Sequence, residues 1–141
     1  MKRGIVLLLL IGAIVLTGCA GSYSSNGERI YFTAASSSGD PITPEGFVMM
    51  GHKFACTDCH GSDGKGGTVT MMMQQFDVPN ITWPVLTGQH EDHPPYTVAT
   101  IKQAITEGID PAGNQLEYYM PRWQISDDDL NDLVDFLKTL K

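Results

Sequence analysis

The feature that most constrains this chain is a short run of cysteine and histidine, Cys56-Thr57-Asp58-Cys59-His60. On one turn of helix, two thiols three residues apart can reach the two vinyl groups on one edge of a porphyrin. The next residue then offers its imidazole to the iron, and neutral imidazole is a good iron ligand. This spacing is typical of c-type haem attachment, and it predicts one haem c bound covalently by Cys56 and Cys59, with His60 on the iron.

Three other uses of the two cysteines stay open beside haem attachment. A zinc site needs two further ligands, and His52, His90 and His93 are the candidates because the sequence has no second Cys pair. A thioredoxin-like dithiol is expected in a βαβ context, for which the sequence gives no sign. A structural disulfide is the third. Haem is favoured over all three by the export signal described next and by the residues downstream.

The N-terminus has the pattern of a secretory signal. Lys2 and Arg3 precede an apolar run over residues 5–16, which is shorter than the ~20 residues that cross a bilayer. A basic start, a short apolar run and small residues behind it predict a signal peptide over residues 1–18. Since no second apolar stretch follows, a multi-span membrane protein is excluded.

The third cysteine, Cys19, follows the signal directly in Leu16-Thr17-Gly18-Cys19. This segment resembles the lipobox of bacterial lipoproteins, in which the cysteine becomes the lipidated N-terminus of the mature protein. Several acyl chains anchor a protein durably, at ~0.8 kcal/mol per buried CH₂. We therefore expect an exported protein, lipid-anchored at Cys19 to a bacterial membrane and facing the periplasm or the cell exterior, with residues 19–25 as a flexible tether.

The charge of the chain beyond residue 18 is strongly acidic, with seven basic and sixteen acidic residues and a net charge of −9. Such a surface repels phosphate backbones, so nucleic acid is excluded as a partner. It favours redox protein partners that offer a basic docking patch. Composition, with 42 % apolar and 18 % charged residues, is that of a folded domain.

Three segments have helical patterns. Asn26 is a candidate N-cap for a short helix through Phe32. A second helix is predicted after Tyr96, capped by Thr97, ending at Gly108 and sharing one apolar face among Val98, Ile101 and Ile105. In the third, Ser126 and Asp129 form a predicted capping box, and the buried stripe is Leu130, Leu133, Val134, Leu137 and Leu140. No strand alternation is recognised.

Together these features resemble a class I cytochrome c of the small, single-haem bacterial kind, over residues 26–141. The resemblance rests on Gly27-x-x-Ile30-Tyr31, Cys56-Thr57-Asp58-Cys59-His60-Gly61, Met120-Pro121-Arg122-Trp123 and a closing helix with Phe136. It implies an all-α fold, a small helical domain wrapped around one covalently bound haem. It also implies that the first and last helices cross closely, with Gly27, Tyr31 and Phe136 at the contact.

One departure from the family pattern is an insertion of about twenty residues. In the family the first helix runs almost directly into the haem site, whereas here residues 33–54 intervene. Either they form an added loop over the haem edge, or the first helix is residues 47–54. The loop is preferred, because Gly39, Pro41, Pro44 and Gly46 disfavour one continuous helix.

The resemblance implies Met120 as the second axial ligand, since a thioether favours Fe(II) and raises the potential. Other occupants of that position stay open: one of Met71 to Met73, one of His52, His90 and His93, or none. The resemblance also implies that a proline carbonyl, for which Pro79 is the candidate, accepts a hydrogen bond from His60. The residues that could reach the haem propionates, or simply pack there, are Trp83, Tyr118, Tyr119, Arg122 and Trp123.

With both axial positions filled, the iron has no place for a substrate, and the expected function is electron transfer by a membrane-anchored carrier rather than an enzyme. Two alternatives stay open. One is a haem enzyme or gas sensor with an open iron, for which His52 or His90 could act as a distal acid–base group. The other is a non-catalytic haem subunit of a larger oxidoreductase.

Overall fold

The structure is a computed structural model that describes residues 22–46, 54–71 and 73–141. Within these ranges five helices and four short strands follow one another along the chain. They are α1 (Asn26–Thr33), β1 (Thr43–Glu45), α2 (Cys56–His60), β2 (Gly67–Met71), β3 (Gln74–Val78), α3 (Trp83–Leu86), α4 (Val98–Thr106), β4 (Arg122–Gln124) and α5 (Asp127–Leu137). No helix in this described part is both long and apolar enough to cross a membrane.

The prediction of an all-α fold is wrong, because the strands form two small antiparallel sheets beside the helices. In the first, β2 and β3 make a hairpin whose register sets Val69 opposite Phe76. The β-branched run Thr68-Val69-Thr70 suits such a ladder, and Met73 turns the chain at a positive φ of 65°. The fold is therefore mixed, with a helical core and β structure at its edges.

The second sheet pairs β1 with β4, so that Thr43 lies opposite Gln124 and Glu45 opposite Arg122. Strand β1 belongs to the insertion of residues 33–54, in which residues 34–42 contain no helix. The preference for a loop over the haem edge stays a prediction. Residues 47–53, on which the alternative first helix depends, lie outside the described residues. The inserted segment thus packs against the chain just after Met120.

The core centres on the crossing of α1 and α5. Ile30 and Tyr31 are fully buried, and the rings of Tyr31 and Phe136 lie 5.1 Å apart between their centroids. Gly27 comes so close to α5 that an added Cβ would lie 1.9 Å from the carbonyl oxygen of Asp132. The predicted contact of Gly27, Tyr31 and Phe136 is confirmed, and so is the buried stripe of α5.

Two predicted helix caps differ from the structure. The side chain of Ser25, not Asn26, accepts the capping hydrogen bond of α1 from the backbone N–H of Glu28, and both residue types serve well at an N-cap. Ser126 caps α5 as predicted. The predicted capping-box role of Asp129 is wrong, because its Oδ1 instead accepts hydrogen bonds from Asn26 Nδ2 at 2.8 Å and Ser36 Oγ at 2.7 Å.

Helix α4 agrees with its predicted pattern except at its first residue. Thr97 caps it, Ile101 and Ile105 are buried, and Gly108 follows with a positive φ of 69°. Val98 is 41 % exposed, although it was predicted to share the buried face. Val98 is the first residue of the helix and follows a surface loop. The buried residues of the helix begin only at Ile101.

Candidate functional site

The Cys-x-x-Cys-His motif forms the whole of α2, a single helical turn. The Asp58 carboxylate accepts a hydrogen bond from the backbone N–H of Ala55 at 2.8 Å, which satisfies a donor at the start of the turn. At its end, the N–H of Gly61 donates to the carbonyl of Thr57 at 3.0 Å. The turn therefore holds both cysteines and His60 together, as the spacing predicts.

The imidazole of His60 is buried and has a fixed orientation. Its Nδ1 lies 3.1 Å from the carbonyl oxygen of Pro79, so Nδ1–H donates this bond and Nε2 keeps its lone pair. Burial lowers the pKa of His60, partly offset by that hydrogen bond, and a neutral ring results. Neutral, oriented imidazole is the form that binds a metal ion. The predicted role of the Pro79 carbonyl is confirmed.

Tyr31 connects the α1–α5 core to the motif, a contact that the sequence analysis did not predict. Its hydroxyl donates to the carbonyl of Gly61 at 2.6 Å, directly after His60. The ring itself is completely buried. The position of α2 is thus tied to the crossing of the first and last helices. The family resemblance places Tyr31 at that crossing, but it did not predict the hydroxyl bond to Gly61.

Cys56 and Cys59 line a common cleft and are not joined by a disulfide. Burial raises the pKa of Cys56 to about 12, and it raises the pKa of Cys59 as well. Dithiol redox catalysis uses thiolates that are stabilised by a lowered pKa. The electrostatics therefore do not favour a redox dithiol at this motif.

The cleft beside α2 is large and almost wholly apolar. His60 and Met120 both line it, together with side chains from β3, α4 and α5 such as Val78, Ile101 and Leu133. Among the described lining residues, Glu117 alone carries a carboxylate. Two thiols, an oriented imidazole, a thioether and apolar walls are the donor set and surroundings that suit a haem, so the residues present fit this group.

Met120 lies in an irregular segment, residues 116–121, that precedes β4 and that we call the strap. Arg122 holds the strap from within, because its guanidinium donates to the carbonyls of Leu116 at 3.0 Å, of Glu117 at 3.1 Å and of Met120. A Cβ on Gly108 would lie 1.9 Å from Arg122 Nε, so only glycine leaves room for this side chain. For Arg122 the sequence analysis allows either propionate contact or simple packing, and it did not predict these bonds to the strap.

The remaining predicted residues are divided between the cleft and the surface. Tyr119 and Trp123 line the cleft, whereas Tyr118 is 62 % exposed. Trp83 packs at the edge of the core, with Lys138 Nζ 5.9 Å from its ring centroid. Tyr119 and Trp123 are therefore the members of this group that line the cleft.

The alternative iron ligands are also separated by position. Met71 lines the cleft, but Met73 is 98 % exposed at the hairpin turn. Neither His90 nor His93 is among the described residues that line the cleft. Cys19, His52 and Met72 lie outside the described residues, as does the predicted signal peptide over residues 1–18.

Comparison with known proteins gives one match. A family model described as Cytochrome c matches residues 24–141, a range that contains every residue of the cleft and of the Cys-x-x-Cys-His motif. Searches of curated proteins and of solved structures gave no match.

Proposed function

Because the chain belongs to the cytochrome c family, we propose that it is a class I electron carrier with one haem and with His60 and Met120 as axial ligands. The family attaches haem c covalently, and Cys56, Cys59 and His60 fit the attachment motif. The chain is thus a haem-binding electron-transfer protein. The haem supplies an iron that takes up and releases one electron.

The observation that carries the proposed ligand pair is that His60 and Met120 line one apolar cleft. His60 Nδ1 donates to Pro79, which leaves Nε2 to bind a metal ion. Met120 is held on the strap by Arg122. A thioether opposite an imidazole favours Fe(II) over Fe(III), relative to two imidazoles, and gives a higher potential.

The surroundings of the cleft support a carrier more than an enzyme or gas sensor. General acid–base catalysis needs a titratable side chain within reach of the reacting atoms. Beyond the motif, the titratable side chains in the described lining are Glu117, whose residue is exposed to solvent, and the phenols of Tyr96 and Tyr119. A protein whose residues fill both axial positions and exclude water transfers electrons through the exposed edge of the haem.

We further propose a partner with a basic docking patch. Exposed carboxylates lie along α5 at Asp127, Asp128, Asp132 and Asp135, and opposite charge steers the association of two proteins. Electron transfer to such a partner should slow as salt is added, because surface charges are screened beyond ~10 Å at 0.1 M ionic strength.

The localisation that we propose is the lipid-anchored one, with cleavage after residue 18 and lipid on Cys19. Its support is the segment Leu16-Thr17-Gly18-Cys19 behind a basic and apolar start. Replacing Cys19 by serine should move the protein from the membrane fraction to the soluble fraction and leave the haem spectrum unchanged. Wild-type protein that is wholly soluble, or that keeps residues 1–18, would contradict the anchor.

The ligand pair is tested by replacing Met120 with alanine. Oxidised wild-type protein should show the weak far-red band of a methionine sulfur on ferric iron, and Met120→Ala should abolish it. The variant should also gain carbon monoxide binding in the reduced state, because one iron position opens. Met71→Ala is the matched control, since Met71 also lines the cleft.

Two results would contradict this proposal. Ready binding of carbon monoxide by wild type would favour the enzyme or sensor. Loss of the far-red band in Met71→Ala, with the band intact in Met120→Ala, would identify Met71 of the hairpin as the sixth ligand.

A further inference from the structure

A second group of metal-binding side chains lies on the loop of residues 88–95, between α3 and α4. His90, Asp92 and His93 each offer one ligand atom, and these three atoms lie within 4.8 Å of one another. The two imidazole rings are 4.3 Å apart between centroids and tilted by 32°. Two imidazoles and a carboxylate at such distances can converge on one ion with small side-chain movements.

Both imidazoles already have one ring nitrogen bonded to the backbone. His90 Nε2 lies 2.8 Å from the carbonyl oxygen of Val85, and His93 Nδ1 lies 2.8 Å from that of Pro94. A nitrogen that donates to a carbonyl leaves the opposite nitrogen with its lone pair, and histidines that bind metals nearly always have such a partner. The free lone pairs are then on Nδ1 of His90 and Nε2 of His93.

The loop that carries these residues is fixed at both ends. The N–H of Tyr96 donates to the carbonyl of Leu86 at 2.8 Å and closes the loop. The Tyr96 ring meets the His93 ring edge-on at 5.2 Å, and Pro94 and Pro95 restrict the chain between them. A closed, proline-restricted loop loses little conformational freedom when it binds an ion.

We propose that His90, Asp92 and His93 bind one divalent cation of the late first-row transition metals, such as Zn²⁺ or Cu²⁺. Imidazole together with carboxylate suits these ions, whereas Mg²⁺ and Ca²⁺ prefer shells made of oxygen alone. Three protein ligands leave a further position for water, as in open zinc sites. Neither histidine is among the described residues that line the haem cleft, although Tyr96, whose ring contacts His93, does line it.

The site is tested by titrating the full-length, oxidised holoprotein with Zn²⁺ in a calorimeter. Covalent haem attachment occupies both thiols of the motif and His60, so these residues cannot contribute to the signal. Wild type should bind one Zn²⁺ per chain, and Ca²⁺ should give no saturable binding. His93→Gln and Asp92→Asn should each weaken Zn²⁺ binding by roughly tenfold or more, because even the loss of a supporting contact costs that much.

Glu91→Gln is the matched control, because Glu91 is an exposed acid of the same loop that is outside the cluster. Its Zn²⁺ affinity should equal that of wild type, and the haem spectrum of every variant should be unchanged. The proposal is overturned if wild type shows no saturable Zn²⁺ binding, or if the His93 and Asp92 variants bind as wild type does. It is also overturned if Glu91→Gln loses as much affinity as they do.

Discussion

Replacing Gly27 with alanine tests whether the α1–α5 crossing determines the stability of the domain. The new Cβ would lie 1.9 Å from the Asp132 carbonyl oxygen and 2.9 Å from Phe136 Cβ. A carbon–oxygen contact is normally about 3.3 Å or longer, so the helices must separate locally by about 1.4 Å. Because the clashing oxygen of Asp132 belongs to the backbone, rotation of a side chain cannot relieve the clash.

The cost follows from two opposing effects. Overpacking that shifts backbone costs about 1–3 kcal/mol, and here it also loosens the contact between Tyr31 and Phe136. Alanine is a better helix former than glycine by ~1 kcal/mol, which offsets part of that cost. Because the clash is with backbone atoms, the upper end of the overpacking range applies. We expect a net loss near 2 kcal/mol, and for a domain of about 100 residues this lowers Tm by roughly 8 °C.

The assay is thermal unfolding of the oxidised holoprotein followed by circular dichroism. Arg29→Ala is the control, because Arg29 is an exposed residue of the same helix and its change introduces alanine without a clash. It should leave Tm within about 2 °C of wild type. A Gly27→Ala protein as stable as wild type, or more stable, would refute the close crossing.

Three further predictions concern the site and its supports. Although burial opposes its ionisation, hydrogen bonds from Ser36 and Asn26 hold the pKa of Asp129 below its usual value. A carboxyl group whose pKa is lower in the folded state stabilises the fold at pH values above its unfolded-state pKa of about 3.9. This stabilisation is lost as the pH falls through the folded-state pKa. Asp129→Asn should thus lower the free energy of unfolding, measured in urea, by about 1–2 kcal/mol at pH 7 and by much less near pH 2–3. Equal losses of unfolding free energy at both pH values would contradict this. Given the proposed ligand pair, Arg122→Lys should let added imidazole displace Met120 at a concentration roughly fivefold lower, because lysine lacks the planar fork of donors with which arginine reaches several strap carbonyls; an unchanged midpoint would refute the role of Arg122. Denatured wild type should stain for haem on a gel, and a chain with both Cys56 and Cys59 replaced by serine should not.

The parts of the molecule that the sequence predicted are those encoded by neighbouring residues. The attachment motif occupies a single helical turn, and its chemistry depends on a spacing within five positions. The α5 stripe repeats with helical periodicity, and Ser126 caps the helix three residues before its partner N–H. Each signal is contained within one turn or one helix, and a sequence displays such signals directly.

Two of the errors concern interactions between distant residues. Strand β1 is three residues long and pairs with β4, which lies about eighty positions later in the chain. So short a strand shows no alternation of apolar and polar residues from which it could be predicted. Asp129 has the spacing of a capping box, yet two partners about a hundred residues earlier bind its carboxylate. For Arg122 the sequence allows either propionate contact or simple packing, and its bonds to carbonyls two to six residues away depend on how the irregular strap folds. In the first two cases a long-range contact overrides a local pattern.

The two sides of the cleft are consequently held in different ways. His60 is part of a helical turn, is buried, and is bound through Pro79 and the Tyr31–Gly61 contact to the helical core. Met120 lies on an irregular strap, and its position depends on Arg122 and on the pairing of β4 with the inserted strand β1. Backbone without regular structure opens at lower free energy than buried helices. Given the proposed ligand pair, ligand exchange should therefore begin on the Met120 side, and the insertion, which pairs beside the strap, stabilises the weaker of the two bonds.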